Sequence, residues 1–340
     1  MNAIPLTRAA TVLPFANFLD RLGAPTERFL KQANLPICAF KDPETLIPLT
    51  QSFAFVEQAA RSEGIENLGI LVGQQTQVTA LGSFGTVVCQ SLTLHEFLHK
   101  VLKFHSTLLT GEQIWLTEDH DYLWLHHQYT VPQHICTYQG QYYAVLMYLN
   151  AIRLATGSHW QPDELHLSGP HKLSGFLDLD FLGNTPIHFH QETNAIRFSK
   201  AMLSKPLIHL ATSSLCTTEE TLRQTAPAID FSESLSQLIR SLLPGGYPHL
   251  EVVAEAAGMS VRTFQRRLED SNLNYSRLVE QIRFEQATYL LQDSTNKLID
   301  IAFDLGYTDP ANFSKAFKRW TGISPREFRN LYLHEEKSNS

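Results

Sequence analysis

The chain has 340 residues, 43% of them hydrophobic, which is long for one domain and comfortable for two separate cores. No run approaches the ~20 apolar residues of a membrane span; the longest is Tyr142 to Leu149, and the N-terminus has Arg8 but no sustained apolar stretch of the kind a secretory signal needs. The net charge of −7 looks wrong for a nucleic-acid partner until it is divided: residues 232 to 332 carry 12 Lys and Arg against 12 Asp and Glu, so the rest of the chain holds the whole acidic excess.

In chain order, the first 75 residues read as helices. Phe15, Phe18, Leu19 and Leu22 run up to Gly23; Pro25 to Ala33 follows; a third segment starts on Thr50, carries Phe53, Val56, Ala59 and Ala60, and stops at Gly64. Thr93 to Glu96 has capping-box spacing, with Leu94, Phe97, Leu98, Val101 and Leu108 behind it. The period then changes: Gln113 to Glu118 and Tyr122 to Thr130, joined across Asp119-His120-Asp121, predict a hairpin. Tyr138 to Thr156 predicts a long apolar helix closed by Gly157. Short strands are expected near Glu164 to Ser168, Ile187 to His190 and Ala195 to Phe198, with helix between some of them. The fold class expected for residues 1–210 is therefore α+β. The polar stretch 211–231, with Pro227, is the expected linker, and a helix from about Ser232 to Leu243, stopped by Pro244-Gly245-Gly246, opens a second domain over 232–332, followed by a polar tail, 333–340. The cysteines Cys38, Cys89, Cys136 and Cys216 lack CxxC spacing and read as reduced, mostly buried thiols of a cytoplasmic protein.

The second domain repeats one pattern at a spacing of about 49 residues. Ala254 to Ser260, with Phe264 and Leu268, is matched by Ala302 to Asp309, with Phe313 and Phe317. Each is a helix-turn-helix candidate: a small Ala lets the two helices approach, Gly supplies the corner, and Ser260 or Asp309 caps the second helix, with Pro310 at its first position. An all-α tandem helix-turn-helix domain is therefore expected. Tyr275 to Leu291 predicts a connecting helix of about 25 Å, a rod suited to setting two recognition helices about one DNA turn, roughly 34 Å, apart.

Residues 260–268 contain Arg262, Arg266 and Arg267 without an acid, and 310–320 contain Lys315, Lys318 and Arg319 without one. Because Phe264 and Leu268 take the inner face, Arg262, Gln265 and Arg266 face outward; an Arg suits guanine O6/N7 and Gln265 suits adenine. On the second helix Ala311, Asn312 and Lys315 are the expected base contacts, with weaker readout. Thr263, Arg267, Ser314, Lys318 and Arg319 are expected on phosphate. Arg283, inside the connecting helix, is expected to be a structural ion-pair partner. Thirteen of the 15 histidines precede residue 210. His126-His127 and His188-x-His190 are the closest sets, but no Cys or carboxylate stands at companion spacing, so no metal site and no cofactor are expected. Trp115, Trp124 and Trp160, with the tyrosines around 142–148, read as core before they read as the lining of a ligand pocket.

Residues 232–332 resemble the DNA-binding domain of the AraC/XylS family of transcription regulators. The resemblance is carried by Val253-Ala254, Gly258-Met259-Ser260, Arg262 to Leu268, Arg283 to Ala287, Leu290-Leu291, Ile301-Ala302, Leu305-Gly306-Tyr307, Phe313 to Pro325 and Phe328-Arg329. It implies a seven-helix module that binds two adjacent major-groove segments of an operator or promoter, with RNA polymerase as a further partner. More loosely, the N-terminal part is similar to the arabinose-binding-like domain of the same superfamily, through Leu68 to Gly73, the Leu81 to Gly85 loop, Pro186 to Phe189 and Ala195 to Phe198. The function expected is sequence-specific transcription regulation controlled by a small-molecule effector or by homodimerisation through the first domain, with no membrane partner. The alternative is a constitutive DNA-binding protein whose first domain makes only protein contacts. An enzyme is not expected, since no Gly-rich phosphate loop, GxSxG or metal-ligand string is present.

Overall fold

The computed structural model describes residues 3–169, 182–208 and 218–338. The chain divides into two compact units, Pro5–Ala228 and Ile229–Ser340, with Met1–Ile4 counted in the second. Within that second unit the Ile4 N–H donates to Ser234 Oγ at 2.9 Å.

The first unit opens with β1 (Leu6–Arg8), which pairs antiparallel with β2 (Leu46–Pro48), α1 (Leu13–Arg21) and α2 (Thr26–Gln32) lying between them in sequence. These two strands correct the all-helical reading of the first 75 residues. At three residues each, with Leu6–Arg8 wholly buried, they show none of the inside-outside alternation by which a strand is recognised. α3 (Leu49–Glu63) begins one residue before Thr50, which is interior and buried rather than a cap, and ends on Gly64 with φ 67°.

α4 (Leu68–Gln75) and α5 (Gly82–Cys89) went unread, since their apolar runs lack a polar face and Gly82 to Gly85 looks like loop. Packing decides them. At Gly69 a Cβ would run into the Gln139 carbonyl, so α4 lies directly on the following long helix. α6 (Leu94–Leu108) starts on Thr93, whose Oγ1 accepts the Glu96 N–H, while Glu96 Oε2 accepts the N–H of Leu92.

β3 (Glu112–Asp119) and β4 (Tyr122–Tyr129) form the hairpin, His120 taking φ 52° at its tip. Behind it runs α7 (Tyr138–Thr156), with its central stretch from Tyr142 to Met147, and then Leu149, Ala151 and Ile152, buried. β5 (Glu164–His166), β6 (Ile187–His188) and β7 (Asn194–Ser199) complete a five-stranded sheet ordered β3-β4-β7-β5-β6, in which only β5 and β6 run parallel. The strands expected to reach Ser168 and His190 stop at His166 and His188, and His190 turns away with φ 58°. The helix expected among these strands falls partly on 170–181, outside the described residues.

The segment 211–231 is not simply a linker. Residues 211–217 lie outside the described residues, but α8 (Glu219–Gln224) follows, and Leu222 is fully buried in the first unit's core. The anchor is Arg8, itself fully buried: Nε donates to Thr107 O, Nη1 pairs with Glu44, and Nη2 reaches Leu222 O, Thr225 O and Thr225 Oγ1. Of the cysteines, Cys89 is buried, Cys38 half-buried and Cys136 exposed, so "mostly buried" does not hold among the described residues; Cys216 lies outside them.

The second unit holds seven α-helices among its described residues: α9 (Phe231–Leu242), α10 (Leu250–Ala256), α11 (Val261–Asp270), α12 (Tyr275–Gln292), α13 (Leu298–Asp304), α14 (Pro310–Thr321) and α15 (Pro325–Ser338). The expected tail is thus helical through residue 338. α12 contributes to both halves: Val279 and Ile282 are buried in its first part, and Ala287 and Leu291 join Ile301, Leu305, Phe313 and Phe317 in a second core.

Candidate nucleic-acid interface and ligand cavity

Two helix-turn-helix units are built by the same local rules. In the first, Met259 N–H returns to Ala254 O at 2.9 Å, Gly258 sits at φ 69°, and Ser260 Oγ accepts the Thr263 N–H at 3.2 Å to cap α11. In the second, Tyr307 N–H returns to Ala302 O at 2.9 Å, Gly306 sits at φ 74°, and Asp309 Oδ1 accepts the Ala311 N–H at 2.8 Å to cap α14. Thr308 lengthens the second turn by one residue. Gly306 also has no room for a side chain, since a Cβ would meet Gly246 O at 2.5 Å and Leu243 O at 2.6 Å.

On α11, Phe264 and Leu268 are buried, and Arg262, Gln265 and Arg266 are exposed side by side. Thr263 is half-buried, its Oγ1 2.9 Å from Ser260 Oγ. Arg267 is also half-buried, its guanidinium 5.6 Å from the Phe231 ring centre, which gives it a packing contact with α9 in place of the free outward position expected of a phosphate ligand. On α14, Ala311, Asn312, Ser314, Lys315, Lys318 and Arg319 are all exposed around buried Phe313, Ala316 and Phe317. Ser314 Oγ donates to Pro310 O at 3.1 Å, and Arg319 pairs with Glu280 of α12 at 2.6 Å. That pair is exposed on both sides and so weakly held, about 0–1 kcal/mol, which leaves Arg319 exchangeable.

Arg283 is structural, but among the described residues it makes no ion pair. Its Nη2 donates to Gly306 O at 2.9 Å, and its guanidinium lies 4.3 Å from the Tyr307 ring centre and 5.1 Å from that of Tyr247. The connecting helix therefore grips the corner of the second unit by its carbonyl.

The first unit holds a cavity of about 90 Å³, lined by residues of α1, α3, α5, α6, α7 and the sheet, among them Phe15, Phe53, Val101, Leu125 and Met147. One water needs roughly 10–15 Å³ on that measure, so the space suits a compact organic molecule. Tyr143 and Tyr148 line it, as does Tyr129, whereas Trp115 and Trp124 lie on the opposite face of the sheet, across from His126 and Arg197. The tyrosines of α7 thus do line a cavity, and the tryptophans do not.

The polar end of the cavity was missed in the sequence. Glu112 of β3, fully buried, lies 2.9 Å from His105 Nε2 and 2.5 Å from His127 Nε2, and accepts the Tyr148 hydroxyl at 3.0 Å. Burial works to raise the Glu112 pKa, but the two histidines outweigh it and hold the carboxyl well below its usual range. Burial, then the Glu112 charge, pushes Tyr129 and Tyr148 well above theirs, so both stay protonated donors. Asn194 orients the ring of His127. Its Oδ1 accepts the Ser168 N–H at 2.9 Å, which turns its amide Nδ2 toward His127 Nδ1 at 3.2 Å and leaves Nε2 facing Glu112. The only hint in the sequence was a lone acid opening a strand.

The family model described as the arabinose-binding domain of AraC transcription regulator, N-terminal, matches residues 23–207, and a helix-turn-helix domain model matches 253–331. Among curated proteins, the ornithine utilization regulator of Pseudomonas aeruginosa is 26% identical over 96% of this chain and 98% of that regulator. The regulator VirS of Mycobacterium tuberculosis is 23% identical over 95% and 96%. VqsM of P. aeruginosa is 40% identical over 28% of this chain and 30% of its own length. Among solved structures, the transcriptional regulator CdpR of P. aeruginosa matches with a TM-score of 0.40 and 19% identity over 93% of this chain and 96% of that one.

Proposed function

This chain belongs to the AraC family of transcription regulators, and we propose that it reads a specific operator with α11 and α14 under the control of a small molecule held in the first unit's cavity. Regulators, not enzymes, make up its relatives. The observation that carries effector control is the cavity itself: apolar walls with an ordered polar end at Glu112, His105 and Tyr148 form a ligand site, where a contact module would have a solid core. The effector this favours is compact and mostly apolar, with one hydrogen-bonding group. It acts through its differential affinity for two states of the regulator. The same reading places the protein in the cytoplasm and gives it a homodimer and RNA polymerase as partners, on family membership alone.

On α11, Arg262, Gln265 and Arg266 are assigned to bases; on α14, Ala311, Asn312 and Lys315. Thr263, Ser314, Lys318 and Arg319 are assigned to phosphate. Arg266→Ala is expected to lower operator affinity by about 1–3 kcal/mol and relax preference at one base position; equal selection from a randomised-site library by both proteins would remove the assignment. Lys318→Ala is expected to weaken all sequences alike and to reduce the salt slope by about one unit, which a salt titration of binding reads directly.

The cavity is tested by thermal-shift screening of the full chain against small metabolites. A ligand at 100 times its Kd adds about 2.7 kcal/mol of stability. The expected hit raises Tm and changes operator affinity in wild type, and does neither in Ala144→Phe, which fills the cavity. A hit that acts equally on both proteins would place the effector elsewhere.

A further inference from the structure

The outer face of the five-stranded sheet carries a second polar cluster, away from the cavity. Glu164 and His166 are two residues apart on β5 and so share a face. His188 of β6 stands beside His166 in the parallel register, the two rings 5.3 Å apart and edge to face. Glu164 Oε1 lies 2.9 Å from His166 Nε2 and 3.3 Å from His188 Nε2. One donor atom from each of the three residues falls within 4.8 Å of the others.

From this we propose that Glu164, His166 and His188 form a binding site for a divalent transition-metal ion of the zinc type, with solvent completing the coordination. The chemistry fits in two respects. Two imidazoles and one carboxylate are a borderline-soft donor set that suits Zn²⁺ and its neighbours over Mg²⁺ or Ca²⁺. In tetrahedral geometry with bonds of about 2.0–2.1 Å, neighbouring donors stand about 3.3 Å apart, close to the 2.9 and 3.3 Å found between the carboxylate oxygen and the two ring nitrogens.

The surroundings also match a ligand shell. Glu164 turns its other oxygen, Oε2, toward Arg197 Nη1 at 3.6 Å, which would leave Oε1 for the ion and hold the carboxylate in orientation. Arg197 does not depend on Glu164, since its Nη2 also faces Asp119 at 3.6 Å and its guanidinium lies 4.0 Å from the Tyr122 ring centre. His188 is exposed, which gives an ion and its water a route in, while Glu164 and His166 are half-buried. The sequence rule that dismissed metal looked for companions near His188-x-His190. The companions come instead from another strand, more than 20 residues upstream, and His190 takes no part among the described residues.

The test is calorimetric titration of Zn²⁺ into the full chain stripped with chelator. One Zn²⁺ per chain is expected, with affinity reduced at least tenfold in His166→Ala and in His188→Ala and unchanged in the exposed His95→Ala. Cu²⁺ supplies an independent readout. Trp124 lies 4.6 Å from the His166 ring, so bound Cu²⁺ should quench tryptophan emission in wild type and less in Trp124→Phe. Because His188 is exposed, His188→Gln keeps the fold and shows the same loss if His166→Ala does not fold. Absence of stoichiometric binding, or equal binding by wild type and the His188 variants, would overturn the site.

Discussion

Glu112→Ala is expected to cost about 3–5 kcal/mol of stability at neutral pH, the usual penalty for removing one partner from a buried ionic cluster. His105, His127 and Tyr148 would each keep a donor aimed at an empty site. The cost should also depend on pH, with a definite sign. The folded carboxyl is held below its usual value by the histidines, which overcome the opposing effect of burial. The unfolded chain therefore takes up the proton first, near pH 4.3. The stabilisation is complete above that pH and fades as pH falls toward the folded value. Urea unfolding of wild type and variant at pH 7 and at pH 3.5 measures both claims: the gap is expected to be several kcal/mol at pH 7 and smaller at pH 3.5. A gap under about 1 kcal/mol at pH 7 would mean that water reaches the cluster.

Gly306→Ala is expected to cost about 3 kcal/mol or more and to abolish operator binding. The left-handed backbone alone penalises a Cβ by about 1–2 kcal/mol. Here the Cβ would also be driven into two backbone carbonyls, those of Leu243 and Gly246, which cannot swing aside as a side chain would. Gly322, at φ 83° with nothing within 4 Å of its would-be Cβ, is the control. Gly322→Ala should cost only the conformational share. Comparable losses in the two variants, measured by unfolding midpoint, would show that the corner of the second unit yields.

How much of this was legible in the sequence depended on how local the cause was. The helix-turn-helix units could be read because each ingredient lies within about 15 residues: Ala254 or Ala302, the corner glycine, the Ser260 or Asp309 cap, and the buried Phe264 or Phe313. α7 and the β3–β4 hairpin were equally plain, having a long uninterrupted period. α4 and α5 were not, since they rest on close packing, of Gly69 against α7 and of Gly85 against the Val78 carbonyl, more than on a pattern in their own residues. His127 and His188 stood out in sequence only beside His126 and His190, and nothing joined His127 to Glu112 and His105, or His188 to Glu164, because different elements bring them together. Arg283 could be read as structural from its place inside the connecting helix, but its partners, the Gly306 carbonyl and the Tyr247 and Tyr307 rings, could not; Arg267 gave no sign of the Phe231 ring that separates it from exposed Arg266.

Arg8 sets a clock on the birth of the first unit. Two of the acceptors of its guanidinium, the carbonyl and hydroxyl of Thr225, lie 217 residues downstream. At roughly 5–20 residues per second, the nascent chain waits on the order of 10–40 s before they exist. Through that interval Glu44 and the Thr107 carbonyl can take Nη1 and Nε, but Nη2 lacks the acceptors that hold it in the finished fold, so β1 is among the last elements to settle. The closing stitch joins β1 to the end of α8, and a chain stopped short of that helix leaves Nη2 of its buried arginine without those partners.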